Sequence, residues 1–209
     1  MLLAFSSNKA NAEVFAWKDT AFDVSFVYPD EWRPQFNAHP DVKLHILAPQ
    51  GRDFAACFIK LKEDGRYTMY PDAYIPRVNS IVFNTKALYD HYIEKDKVNI
   101  IYRSDYASLG RAHAVYAEAD FVQKAGLGQE LPMRSLLFAT QSGKMNFVFE
   151  CEAARANWDY WKTVFINMVR SVDFPVNQMS TANGYYRYFQ DDGSVLMSTD
   201  NARTGSVEY

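Results

Sequence analysis

The chain has 209 residues, 48% of them hydrophobic, and a formal net charge of -3. That is enough apolar material for one domain with a full core, and too little for two of ordinary size. The 22 basic residues are spread without a cluster, which argues against a nucleic-acid binder, and no apolar run approaches the roughly 18 residues of a membrane-spanning helix.

At the start of the chain, residues 1–5 are apolar and Ala10-Asn11-Ala12 has the small-x-small form that precedes signal-peptidase cleavage. Residues 1–12 are therefore expected to be the remnant of a signal peptide. A positively charged region is missing ahead of a short apolar segment, so the full signal would begin upstream. No Cys lies beside the site, and a lipid anchor is not expected.

Residues 21–28 alternate weakly and stop at Pro29-Asp30, a strand running into a turn. Trp32 is expected to plug the core edge just beyond. In 42–48, Val42, Leu44, Ile46 and Ala48 share a face. Pro49-Gln50-Gly51 turns this strand into another over 54–62, giving a hairpin. Between 72 and 95 the apolar spacing becomes helical and predicts one or two helices, with Pro76 tolerated in a first turn. Strands follow over 98–106 and 111–122, joined at Ser108-Leu109-Gly110, and Gly126-Leu127-Gly128 leads onward.

The clearest pattern spans 133–174. Residues 134–141 form one strand and return through Ser142-Gly143 into a second, where Met145, Phe147, Phe149 and Cys151 alternate with Asn146, Val148, Glu150 and Glu152. This is the period of a strand with one buried face. Trp158, Trp161, Phe165, Met168 and Val172 then recur every three or four residues, flanked by Val164 and Val169, as on an amphipathic helix lying on a sheet. The helix ends near Ser171, and Phe174-Pro175 forces extended backbone. The expected fold is α+β: an antiparallel β-sheet flanked by helices, an α/β/α sandwich over residues 13–175.

Residues 176–209 form a tail of different character. Aromatic and β-branched runs flank Asp191-Asp192-Gly193, a hairpin signal. An isolated hairpin is marginal in water, so the tail either folds back on the domain edge or is completed by another chain. Tyr185, Tyr186, Tyr188, Phe189, Val195 and Leu196 are the expected contact residues, because Tyr is enriched at interfaces. Cys57 and Cys151 each sit in a predicted strand among apolar residues. They read as buried small hydrophobes, and in an oxidising compartment they would pair if their strands were neighbours.

The order of elements, with Phe22-Asp23-Val24-Ser25-Phe26-Val27-Tyr28-Pro29-Asp30-Glu31-Trp32 near the start, resembles the PsbP-like superfamily. That superfamily includes the photosystem accessory protein, the Ran-binding Mog proteins, the DcrB-like lipoproteins and the Eag chaperones of type VI secretion. The hairpin around Gly143 and the helix ending Val169-Arg170-Ser171-Val172-Asp173-Phe174 look like its final elements. The resemblance covers roughly residues 22–174 and implies a protein-binding domain with no catalytic residues of its own. The chain departs from the pattern in lacking a lipobox Cys and in carrying the aromatic tail.

The residues themselves carry no recognisable chemistry. None of His39, His45, His91 and His113 pairs at the i, i+4 spacing of a helical metal site, and His45 and His113 read as surface or satisfied histidines. Asp90, Glu94 and Asp96 near His91 read as a solvated helix face. No G-x-S-x-G, P-loop or dinucleotide fingerprint occurs. No catalytic residue, metal or cofactor is assigned. The expected function is a non-enzymatic subunit of a bacterial cell-envelope assembly such as a secretion-system complex. It would be periplasmic or outer-envelope associated, bound to other protein subunits and part of an oligomer within the complex. The alternatives are a cytoplasmic Eag-type chaperone with an exposed apolar sheet face and, more weakly, a hydrolase without a motif.

Overall fold

Period-2 alternation makes strands of the middle of the chain, and tight turns decide which of them pair. The computed structural model describes residues 14–21, 23–35, 41–49, 51, 53–63, 91–93, 95–110, 112–124, 128–142 and 145–173. In chain order these hold β1 (Val14–Asp19), β2 (Val24–Pro29), β3 (Arg33–Gln35), β4 (Val42–Leu47), β5 (Ala56–Glu63), β6 (Asp96–Leu109), β7 (Ala112–Lys124), β8 (Glu130–Ser142) and β9 (Met145–Ala154). A 3₁₀ turn at Arg155–Asn157 leads into the helix α1 (Trp158–Arg170).

Seven strands form one sheet in the order β3-β4-β5-β9-β8-β7-β6, every pair antiparallel. β1 and β2 form a separate two-stranded sheet. β9 occupies the centre, with an unbroken register to β8 from Met133–Ala154 to Ser142–Met145 and to β5 from Ala56–Glu152 to Glu63–Met145. Cys57 and Cys151 therefore face each other across β5 and β9, with Cα atoms 4.0 Å apart, and are joined by a disulfide. Met168 Sδ lies 3.7 Å from Cys57 Sγ.

One sheet face, carrying Phe147, Phe149, Cys151, Leu136, Phe138 and Tyr116, packs beneath α1 and β2. α1 buries Trp158, Trp161, Phe165, Met168 and Val169 as its periodicity predicts, and also Ile166, while Val164 is half-buried. β2 covers the same face beside α1, with Phe26 edge-on to Phe149 at 5.7 Å. Trp32 is buried edge-on against Trp161 at 5.6 Å. The opposite face has its own cluster of Val115, Ala117, Ala119, Leu137 and Ala139, onto which Tyr92 of the helical pair 91–92 packs.

The elements differ from the expected ones mainly at their ends. β6 runs on to Leu109, and Gly110 in the shortened turn has φ 56°. β1 and β3 match no expected element. The helices expected over 72–95 lie outside the described residues apart from 91–93 and 95, as do the expected signal remnant 1–12 and the tail 176–209.

Candidate partner-binding site

β1 is the outer strand of the small sheet, and its register with β2 is unbroken from Val14–Pro29 to Asp19–Val24. Trp17 meets Phe26 edge-on at 5.7 Å and Phe15 stacks on Tyr28 at 6.0 Å, which ties β1 to the core. Val14 and Phe15 nevertheless remain 60% and 56% exposed. The other edge of β2 is occupied. Ser25 N–H donates to Asp173 O at 3.1 Å, Asp173 N–H donates to Ser25 O at 2.8 Å, and Val27 N–H donates to Ser171 Oγ at 2.9 Å. Among the described residues, an added strand can reach this sheet only along β1.

The buried ionisable groups are engaged with one another. Glu150 projects from β9 on the face away from α1 and is 2% exposed. Its Oε1 accepts from Lys95 Nζ at 2.9 Å and its Oε2 from His91 Nε2. Lys95 Nζ also donates to Glu152 Oε2 at 2.7 Å and sits 3.9 Å from the centre of the Phe121 ring. Lys60 Nζ lies 3.3 Å from His91 Nδ1.

Burial opposes the charge of Glu150, but His91 and Lys95 outweigh it and hold the carboxyl well below the usual range. Glu152 moves the other way: burial raises it, and the charge of Glu150 helps to outweigh the pull of Lys95. Burial alone would lower Lys95, yet the two carboxylates keep it above its ordinary value. Beneath α1, Glu118 accepts from Trp158 Nε1, Lys162 Nζ and Tyr116 OH, each at 3.0 Å. Carboxylates whose oxygens are already taken by cations and donors lock elements together and are poorly placed to move a substrate proton.

This arrangement corrects two readings of the sequence. β9 does not have one buried face, because Glu150 and Glu152 are buried too, and His91 is packed against Glu150 and not on a solvated face. The partners that make this burial tolerable, His91 and Lys95, come from a stretch far earlier in the chain, beyond the reach of any local pattern.

At the β4–β5 turn a cavity of about 280 Å³ opens between His45, Phe54, Phe58, Glu152 and Trp161. The His45 ring stacks on Phe58 at 4.2 Å, and burial lowers its pKa. Its Nε2 is buried and has no hydrogen-bond partner among the described residues. Asp53 on the rim is held by Trp161 Nε1 at 3.0 Å and by Asn157 Nδ2. Among the described residues, no three His, Cys, Asp or Glu are grouped to hold a metal ion, and no helix is long and apolar enough to cross a membrane.

No family model and no curated protein matches the chain. Among solved structures, cyanobacterial PsbP (CyanoP) from Synechocystis sp. PCC 6803 aligns over 83% of this chain and 99% of its own, with a TM-score of 0.52 at 19% identity. The fold is PsbP-like. Weaker similarity extends to the Saccharomyces cerevisiae Ran-binding protein Mog1p, over 78% of this chain and 96% of its own, with a TM-score of 0.47 at 10% identity. LpqN, involved in cell envelope biogenesis of Mycobacterium tuberculosis, aligns over 78% of this chain and 91% of its own, with the same TM-score of 0.47 and identity of 10%.

In this PsbP-like domain the Tyr28-Pro29-x-x-Trp32 motif closes β2, with Trp32 N–H donating to Pro29 O at 3.0 Å. Of the expected site residues, Cys57 and Cys151 are brought together. Tyr185, Tyr186, Tyr188, Phe189, Val195 and Leu196 lie outside the described residues. Sequence reasoning missed β1, whose signal was the short apolar run Val14-Phe15-Ala16-Trp17 just after the small-x-small motif.

Proposed function

We propose that the chain is a non-enzymatic protein-binding module: an exported accessory or structural subunit of a bacterial cell-envelope assembly such as a secretion-system complex. The observation that carries this reading is the Cys57–Cys151 bond at the centre of the sheet. Disulfides persist in oxidising compartments and are rare in the cytosol. Ala12 ends the small-x-small motif just ahead of Val14, so processing there leaves β1 whole. The contact with other subunits is assigned to the tail, where Tyr185, Tyr186, Tyr188, Phe189, Val195 and Leu196 supply aromatic and β-branched surface for docking by strand addition.

An Eag-type chaperone would need an open apolar sheet face, whereas the described strands bury apolar clusters on both faces. Intact-mass measurement of the native protein after thiol alkylation without reductant tests export. Loss of residues through Ala12 with neither Cys alkylated is expected. A retained N-terminus with two alkylated thiols contradicts export and favours the cytoplasmic chaperone.

A further inference from the structure

Among the described residues three strands end a sheet with a side that no other described strand occupies, and the three are not equivalent. β3 bounds one side of the large sheet with only Arg33–Gln35, and its Pro34 has no N–H to offer. β6 bounds the other side, and its pairing with β7 slips between Asp96 and Asn99, between Ile100 and Tyr102, and between Ser104 and Ala107. Short length, proline and bulges all blunt an edge against further pairing. β1 has none of these devices, being exposed, free of proline and in unbroken register with β2.

The bonds on the far side of β2 show which groups β1 presents. Ser25 and Val27 direct their backbone bonds toward Asp173 and Ser171, away from β1. Their partners Lys18 and Ala16 are therefore the non-hydrogen-bonded members of the β1–β2 ladder, and by alternation so is Val14. The N–H and C=O groups of Val14, Ala16 and Lys18 thus point outward as a ready template for another strand.

The same bonds show where the chain goes. Asp173 pairs antiparallel with Ser25 on the far edge of β2, so the chain leaves α1 heading toward the turn that joins β1 to β2. Rounding that turn to the free edge of β1 means crossing roughly 15 Å, three strand spacings. Residues 174–184 extend to roughly 35 Å. Beyond them, Tyr185-Tyr186-Arg187-Tyr188-Phe189-Gln190 is a β-prone run that would carry aromatics on both faces of a strand, so either face has rings to set beside Phe15 and Trp17.

We propose that residues 185–190 dock on β1 of their own chain as an antiparallel strand, so that the tail hairpin extends the small sheet. A tethered strand within reach has a high effective concentration, which favours the chain's own tail over that of a second copy. The inference deepens the reading of the tail as the contact surface, on which it rests. It places Val195 and Leu196 on the outer strand, where a neighbouring subunit would add.

Amide hydrogen exchange of the full-length monomer by NMR tests this without any partner, so the tail can fail here and still be the partner contact. The amides of Ala16 and Lys18 should exchange at least about tenfold more slowly in the wild type than in the full-length variant Tyr186→Pro/Tyr188→Pro. Ala16→Pro removes an outward N–H and spares the β1–β2 bonds, and it should release protection over 185–190. The amides of Phe147 and Phe149 should be unchanged in both variants, reporting an intact core. Equal exchange at Ala16 and Lys18 in wild type and tail variant would overturn the proposal. So would protection that rises with protein concentration, which would make a second copy the donor.

Discussion

Burying the Glu150 carboxylate is unfavourable unless cations and donors replace its water, and His91 and Lys95 do so from a stretch that is remote in sequence. Removing the charge strands Lys95 between fewer acceptors, so Glu150→Gln should lower stability by about 3–5 kcal/mol at neutral pH. The folded-state pKa of Glu150 lies below its ordinary value of 4.5. Its contribution is therefore complete above that value and lost as the pH falls through the folded pKa. The gap between wild type and Glu150→Gln in urea unfolding should narrow steadily below about pH 4.5. A gap independent of pH would mean that the carboxylate does not hold the stretch to the sheet by its charge. This placement was hidden in the sequence for a physical reason. Two glutamates alternating with Phe149 and Cys151 look like a wet face, and nothing local announces that Lys95 will meet them.

β8, β9 and α1 were the most legible elements. A clean period of 2, a short Ser-Gly turn and a stripe at helical spacing all demand the same hairpin with a helix laid across it. The hairpin of β4 and β5 was readable for the same reason. β1 and β3 were not, because strands that are short or mostly exposed need no alternation to be stable, and their pairing is decided by the neighbours they meet. Adjacency of β5 and β9 was also invisible, since 94 residues separate the two cysteines it brings together. Closing a loop of that length should stabilise the fold by about 4.7 kcal/mol in the chain-entropy account. Cys57→Ala/Cys151→Ala should therefore unfold at lower denaturant concentration, with a steeper slope because the unlinked unfolded chain exposes more surface. An unchanged midpoint would show that the bond contributes nothing to holding β5 on β9.

At the scale of the molecule, a PsbP-like sheet with apolar clusters on both faces carries a small two-stranded sheet whose outer strand β1 has no further strand beside it among the described residues, and Asp173 pairs along its other edge. The resemblance seen around Tyr28-Pro29-x-x-Trp32 pointed to this fold, and the alignment with CyanoP supports it at the level of architecture. The surface that meets a partner was less legible. A tail of aromatic runs is the expected contact, and no internal pattern says what it would meet. The most direct test of a binding module that works through its tail is quantitative affinity purification from the native cell envelope, comparing the full chain with a form lacking residues 176–209. The account predicts that the shortened protein keeps the near-ultraviolet circular dichroism of its packed Trp32–Trp161 core and loses the co-purifying subunits. A folded, shortened protein that retains the same partners in the same amounts would contradict it.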